Sequence, residues 1–137
     1  MDIYFSCSLT GGRQDQPVYS ALVGCMQRLG HRVLTAHLAD PEVMAQDAVV
    51  DAASVYARDL AWLEACDAFV AEVTTPSHGV GFEFAWALNR GKPVLCLHRA
   101  GVRVSKMITG CPGPGVEVAA YPDLEGALAR VAAFLDR

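Results

Sequence analysis

Three stretches of this chain carry residue types that can do chemistry. The first is Thr74-Thr75-Pro76-Ser77-His78-Gly79-Val80-Gly81-Phe82-Glu83. Its small residues open a helix and allow close approach of a ligand, and two glycines ahead of Glu83 clear space for a sugar. The start of a helix favours an ionised carboxylate, which suits a nucleophile. The plainer reading is a glutamate that merely complements the helix dipole. The second stretch is Tyr56-Ala57-Arg58-Asp59-Leu60-Ala61-Trp62-Leu63. Asp59 lies near the apolar positions Tyr56 and Leu63, which turns it inward, and an inward carboxylate needs a partner or a function. The plainer reading is an exposed helix acid beside Arg58. Two carboxylates flanking one bond make a glycosidase-like pair, so Asp59 and Glu83 together mean more than either alone. The third stretch, Cys7-Ser8-Leu9-Thr10-Gly11-Gly12-Arg13, follows a strand and precedes a helix. Glycines there let backbone N–H groups close on a phosphate. The loop lacks the GK[ST] ending of a Walker loop and is not GxGxxG, so by itself it also reads as an ordinary turn.

The elements that position these stretches follow from periodicity and from turn residues. Strands are expected at Ile3–Cys7, Arg32–Ala36, Asp67–Val73, Pro93–Leu97 and Glu117–Tyr121, and helices at Tyr19–Leu29, Ala52–Ala65, Gly79–Asn89 and Asp123–Leu135. Gly30 and Gly91 stop two of the helices. Leu38–Val50 reads as loop or short helix, and His98–Gly115 as a long loop rich in Gly and Pro. Strands alternating with helices imply an α/β fold with a mostly parallel sheet covered on both faces. Ligands of such sheets sit at the carboxyl ends of the strands. The loops there are Ser8–Arg13, His37–Asp40, Thr74–Gly79 and His98–Gly110.

The 137 residues fit one domain, residues 1–137, and the 53% apolar content supplies a full core. A net charge of −4 with no run of like charges excludes a nucleic-acid surface, although a few backbone amides can still hold one phosphate. No signal peptide is read at the N-terminus and no run of about 18 apolar residues occurs, so the expectation is a cytoplasmic protein without a membrane partner. Cys7, Cys25, Cys66, Cys96 and Cys111 are widely spread, form no CxxC pair and share no zinc spacing with histidines. They read as buried thiols in a reducing compartment.

Taken together the segments resemble the nucleoside 2-deoxyribosyltransferase superfamily, and most closely its 2'-deoxynucleoside 5'-phosphate N-hydrolase branch. The matching stretches are Ile3-Tyr4-Phe5 with Ser8 and Gly11-Gly12-Arg13, then Arg58-Asp59-Leu60-Ala61-Trp62-Leu63. Ala71-Glu72-Val73-Thr74, Pro76-Ser77, Gly79-Val80-Gly81-Phe82-Glu83 and Val104-Ser105-Lys106-Met107-Ile108 follow in family order. The resemblance implies a Rossmann-like, doubly wound sheet of about five parallel strands with helices on both faces, in a homodimer or larger assembly. It also implies cleavage of the N-glycosidic bond of a 2'-deoxynucleoside 5'-monophosphate with no metal or organic cofactor. By the same resemblance Glu83 is the nucleophile, Asp59 the acid that helps the base depart, and Tyr4 the hydroxyl that orients Glu83. Ser8, Leu9, Thr10 and Gly11, with Gly79 and Ser77, form the phosphate cradle. Ser105 adds a phosphate contact, and Met107 lines the base pocket, both from the neighbouring subunit.

This chain departs from the family pattern at three positions. Phe82 stands where better-known hydrolases carry tyrosine, His78 where they carry an apolar residue, and Thr10 where they carry arginine. These leave the preferred base open and imply a phosphate held mainly by backbone and serines. His37 stands between pocket wall and surface, and is counted among the substrate-contacting candidates. Three other readings remain at this point: a deoxyribosyltransferase, a ribonucleoside monophosphate hydrolase, and a nucleotide-sensing module without catalysis. The phosphate cradle speaks against the first, and retention of Tyr4, Asp59 and Glu83 together speaks against the last.

Overall fold

Strands buried on both faces read as continuous apolar runs, and Ala68–Glu72 (β3) is buried at every position. The computed structural model describes residues 1–111 and 113–137. Around β3 it places β1 (Asp2–Ser6), β2 (Arg32–Val33), β4 (Val94–Arg99) and β5 (Val116–Tyr121), all parallel, in the order β2-β1-β3-β4-β5. The α/β expectation with a doubly wound parallel sheet therefore holds. Strand alternation sorts the core. Ile3 and Phe5 face a cluster with Tyr19, Leu22 and Met26 of α1 (Gln16–Arg28) and Val131 and Phe134 of α6 (Leu124–Leu135). Tyr4 faces the opposite side, with Leu63 of α3 (Ala52–Ala65) and Val80 and Phe84 of α4 (His78–Asn89).

Several boundaries differ from expectation for local reasons. Helix α1 begins at Gln16, ahead of Tyr19, because Pro17 sits in its first turn, where a missing N–H costs nothing. Strand β2 ends at Val33 instead of Ala36. There the buried Thr35 hydroxyl takes over the ladder, accepting from the Phe5 N–H at 2.9 Å and donating to the Phe5 carbonyl at 2.6 Å. A 3-10 turn follows at Ala36–Ala39, then α2 (Val43–Asp47), so the stretch left between loop and helix is two short helical pieces. The expected loop from His98 to Gly115 is corrected at its start and in its middle. His98 and Arg99 extend β4, and Lys106–Thr109 forms a single helical turn, α5. Pro112, in the same expected loop, lies outside the described residues. No helix among the described residues is long and apolar enough to cross a membrane.

The connections from β1 run to β2 on one side of the sheet, whereas β3 lies on the other side of β1. The loops leaving the carboxyl ends of β1 and β3 consequently lead into α1 and α4 on opposite faces of the sheet and flank a crevice, the standard ligand position in such sheets.

Candidate functional site

Helix α4 is capped by Ser77, whose hydroxyl accepts from the Val80 N–H at 3.4 Å. One turn on, the Glu83 side chain turns back onto the carboxyl end of β1. The Tyr4 hydroxyl donates to Glu83 Oε1 at 2.8 Å and the Ser6 hydroxyl donates to Oε2 at 2.5 Å. Both donors are fully buried. Burial pushes the Glu83 carboxyl above its ordinary range; the bonds from Ser6 and Tyr4 pull it back, and the charge of Asp59 adds to the rise. The expectation that the helix start favours the charged form is therefore outweighed. A dipole effect fades within the first turn, and Glu83 lies in the second. Burial, with the Glu83 charge next in effect, raises the Tyr4 phenol well above its ordinary value, so it remains a donor.

Asp59 projects from α3 toward the same place. Its side chain is 20% exposed, and Arg58 Nε donates to it at 2.8 Å, while the Arg58 guanidinium lies over the Trp62 ring at 4.9 Å. Both sequence readings of Asp59 thus meet: it has the plain arginine partner, and it lines a cavity of about 400 Å³ with Glu83. Val55, Leu60 and Leu63 wall this cavity, Gly79 opens it toward the loops, and Tyr56 and Phe82 stand at its rim with ring centroids 6.1 Å apart.

The loop after β1 meets the loop after β3 at Gly11. A Cβ built there would fall 2.3 Å from the Pro76 carbonyl oxygen and 2.6 Å from Ser8 Oγ. Ser8 is wholly buried, and its hydroxyl has no hydrogen-bond partner among the described residues. Leu9 is half-buried and Thr10 exposed. Arg13 does not face outward to an anion. Its guanidinium donates to the carbonyls of Ser8 (3.2 Å), Leu38 (2.9 Å) and Asp40 (3.1 Å), tying the loop to the 3-10 segment.

The remaining candidates lie farther out. His37 is half-buried against Trp62, with ring centroids 5.6 Å apart, and burial lowers its pKa, as does the charge of Arg58. It is absent from the lining of the Glu83 cavity. Ser105 caps α5, accepting from the Met107 N–H at 3.3 Å, and Met107 is 84% exposed. Both line a second, larger groove of about 840 Å³ on the other side of α4, with Ser77, Val80, Phe84 and Leu88. Among the described residues no acidic side chain lines that groove, so despite its size it offers no nucleophile of the Glu83 kind. Within one chain, Ser105 and Met107 are not brought to the two carboxylates.

Two residues near the crevice escaped the sequence reading. Ser6 is one; its signal was its place two residues after Tyr4, on the same strand face. Glu72 is the other, a fully buried carboxylate at the end of β3. It accepts from the Thr74 hydroxyl, from the Thr74 N–H at 3.3 Å and from the Tyr121 hydroxyl at 2.9 Å, and burial raises its pKa. Thr74 Oγ1 accepts in turn from the Arg99 N–H at 2.9 Å. Asp15, 3% exposed, pairs with the Arg99 guanidinium and accepts from Thr75 at 3.3 Å, bracing the same loop. No cluster of three metal-ligating side chains occurs among the described residues.

Comparison with known proteins bears on this geometry. A family model described as nucleoside 2-deoxyribosyltransferase matches residues 3–122. A Methanosarcina mazei protein named "Putative 2'-deoxynucleoside 5'-phosphate N-hydrolase 1" is 46% identical over 123 residues, covering 90% of this chain and 76% of that protein. The 5-hydroxymethyl-dUMP N-hydrolase of Mus musculus is 46% identical over 112 residues, or 79% of this chain; the chain spans 64% of the mouse protein's length. Among solved structures, the Clostridium botulinum CMP N-glycosidase BcmB has a TM-score of 0.75 at 18% identity, covering 98% of this chain and 99% of that one. This last likeness concerns the fold alone.

Proposed function

The chain belongs to the nucleoside 2-deoxyribosyltransferase family, and from that premise we propose that it hydrolyses 2'-deoxynucleoside 5'-monophosphates to free base and 2-deoxyribose 5-phosphate. One observation carries the reading: Glu83 and Asp59, from two different helices, line one cavity, and Glu83 is gripped at both oxygens. The names of the two relatives, both N-hydrolases of nucleoside 5'-phosphates, support the substrate class.

The chemistry runs in two steps. As the base leaves, the anomeric carbon gains oxocarbenium character. Glu83 stabilises that charge and captures the sugar as a glycosyl ester. Asp59 gives its proton to the departing base, help typically worth about 10²–10⁴-fold. Water then attacks the ester with Asp59 as base, and configuration is retained. Tyr4 holds Glu83 in place throughout. The phosphate rests on the turn Ser8–Gly11 with Ser77 and Gly79, and His37 packs on Trp62 outside the lining of the Glu83 cavity. Ser105 and Met107 come from the partner in a homodimer, which accounts for their separation from the carboxylates of their own chain.

Incubation with deoxynucleoside monophosphates, ribonucleoside monophosphates and the unphosphorylated deoxynucleosides, followed by chromatography of released base, tests the reading. Release from the deoxynucleotides should dominate. Equal rates with and without the phosphate, or no release at all, would reject it.

A further inference from the structure

Tyr4 and Asp59 have parts in the scheme above, whereas Ser6 has none. It is fully buried at the carboxyl end of β1, held in register opposite Ala71 of β3, in the middle of the sheet. Its hydroxyl reaches Glu83 Oε2 at 2.5 Å, while Tyr4, two residues earlier on the same face, holds Oε1 at 2.8 Å. A carboxylate held at one oxygen can still swing about that contact. Held at both oxygens from one rigid strand, it keeps a single plane, and placement to within about 1 Å is worth roughly 10²-fold in rate.

We propose that Ser6 is a positioning residue for Glu83: its hydroxyl fixes the second carboxylate oxygen and supports the carboxylate charge whenever the sugar is not attached. The inference rests on the reading of Glu83 as nucleophile. In the first step a Glu83 oxygen bonds to the anomeric carbon, the bond from that carbon to the base nitrogen breaks, and the nitrogen takes the Asp59 proton. In the second, water oxygen bonds to the carbon and the ester bond breaks. Its electron pair returns to Glu83, and the water proton passes to Asp59. A hydroxyl bonds a charged carboxylate about twice as strongly as a neutral ester. Ser6 therefore assists the second step, in which the carboxylate reappears. It also works against the burial that disfavours the charged form, and does so more strongly than Tyr4.

The test compares Ser6→Ala with the unaltered enzyme in two measurements. The acid limb of kcat/KM against pH should move up by about one unit or more, since hydrogen bonds to charged groups are of that size. Intact-mass spectra under turnover should show a larger fraction of chains carrying deoxyribose phosphate on Glu83. Neither readout moves if Ser6 only fills space, and an unmoved acid limb with no added adduct overturns the proposal. Ser6→Cys, nearly the same size with a weak donor, carries the same comparison if the alanine variant does not fold. An infrared titration of the Glu83 carboxyl without substrate separates this inference from the functional one. Substrate turnover with an unmoved titration in Ser6→Ala refutes only the role of Ser6. A moved titration in an enzyme that cleaves no nucleotide refutes only the reaction.

Discussion

Replacing Gly11 by alanine should damage both stability and turnover. The added Cβ would lie 2.3 Å from the Pro76 carbonyl oxygen, about 1.1 Å inside the 3.4 Å at which ordinary contact begins, and 2.6 Å from the buried Ser8 hydroxyl. The first obstacle is backbone, and the second is the short side chain of a fully buried serine in the same loop. The loops after β1 and β3 must part by about an ångström. Overpacking of this kind costs about 1–3 kcal/mol, or roughly 3–4 °C of Tm per kcal/mol in a chain of this size. Because those two loops flank the crevice, the same displacement should lower kcat/KM on a deoxynucleotide by roughly 10²-fold. Gly81→Ala is the control. A Cβ there meets nothing within 4 Å, and the residue is inside α4. This substitution should raise stability by about 0.5–1 kcal/mol. Thermal unfolding and steady-state base release measure both effects. A Gly11→Ala enzyme with unchanged Tm and kcat/KM would show that the two loops are not held against each other.

Glu83→Gln should abolish base release and raise stability at neutral pH. The folded carboxyl titrates above its unfolded value, so its contribution is full below the unfolded pKa and is lost as pH rises through the folded one. The gain in Tm should appear at pH 7.5 and vanish near pH 4; equal gains at both would contradict burial as the cause. Asp59→Asn should slow release by about 10²–10⁴-fold, most for bases that are poor leaving groups, and a loss independent of the base would remove it as the acid. Mixed subunits of Glu83→Ala and Ser105→Ala should recover activity above the mean of the two parents, since one composite site per dimer is then intact. No recovery after subunit exchange confirmed by mass would place Ser105 in the service of its own chain.

The parts of the fold legible in the sequence are those whose ends are marked chemically. Helix α3 occupies Ala52–Ala65 as expected because Asp51 caps it, accepting from the Ser54 N–H, and α6 begins where Asp123 caps it. The strand expected through Ala36 stopped early because a threonine side chain replaced backbone pairing, which no period-2 pattern reveals. Leu38–Val50 stayed ambiguous because the helical pieces that reach into it, of four and five residues, are too short to display a helical period. Among the candidate site residues, Asp59 and Glu83 were singled out from spacing and resemblance and Tyr4 from resemblance alone, and the geometry joins Tyr4 to Glu83 directly. Ser6 was passed over, despite sharing a strand face with Tyr4, because a serine in a buried strand looks like a small core residue until its partner is known. Arg13 belonged to a loop read for phosphate binding, yet its charge is spent on backbone carbonyls.

The buried carboxylate of Glu72 has a consequence for how the molecule comes apart. β5 is an edge strand of the sheet, and edge strands ordinarily fray first. Here the Tyr121 hydroxyl of β5 is one of the partners of Glu72, together with Thr74, which is itself bound by the β4 backbone at Arg99. Peeling β5 away would strip a donor from a fully buried carboxyl, a penalty of about 1–3 kcal/mol. The edge is thereby latched to the loop that leads into α4. Amide exchange along β5 and along Thr74–Ser77 should then follow one common opening event, with the rim of the crevice and the far border of the sheet released together.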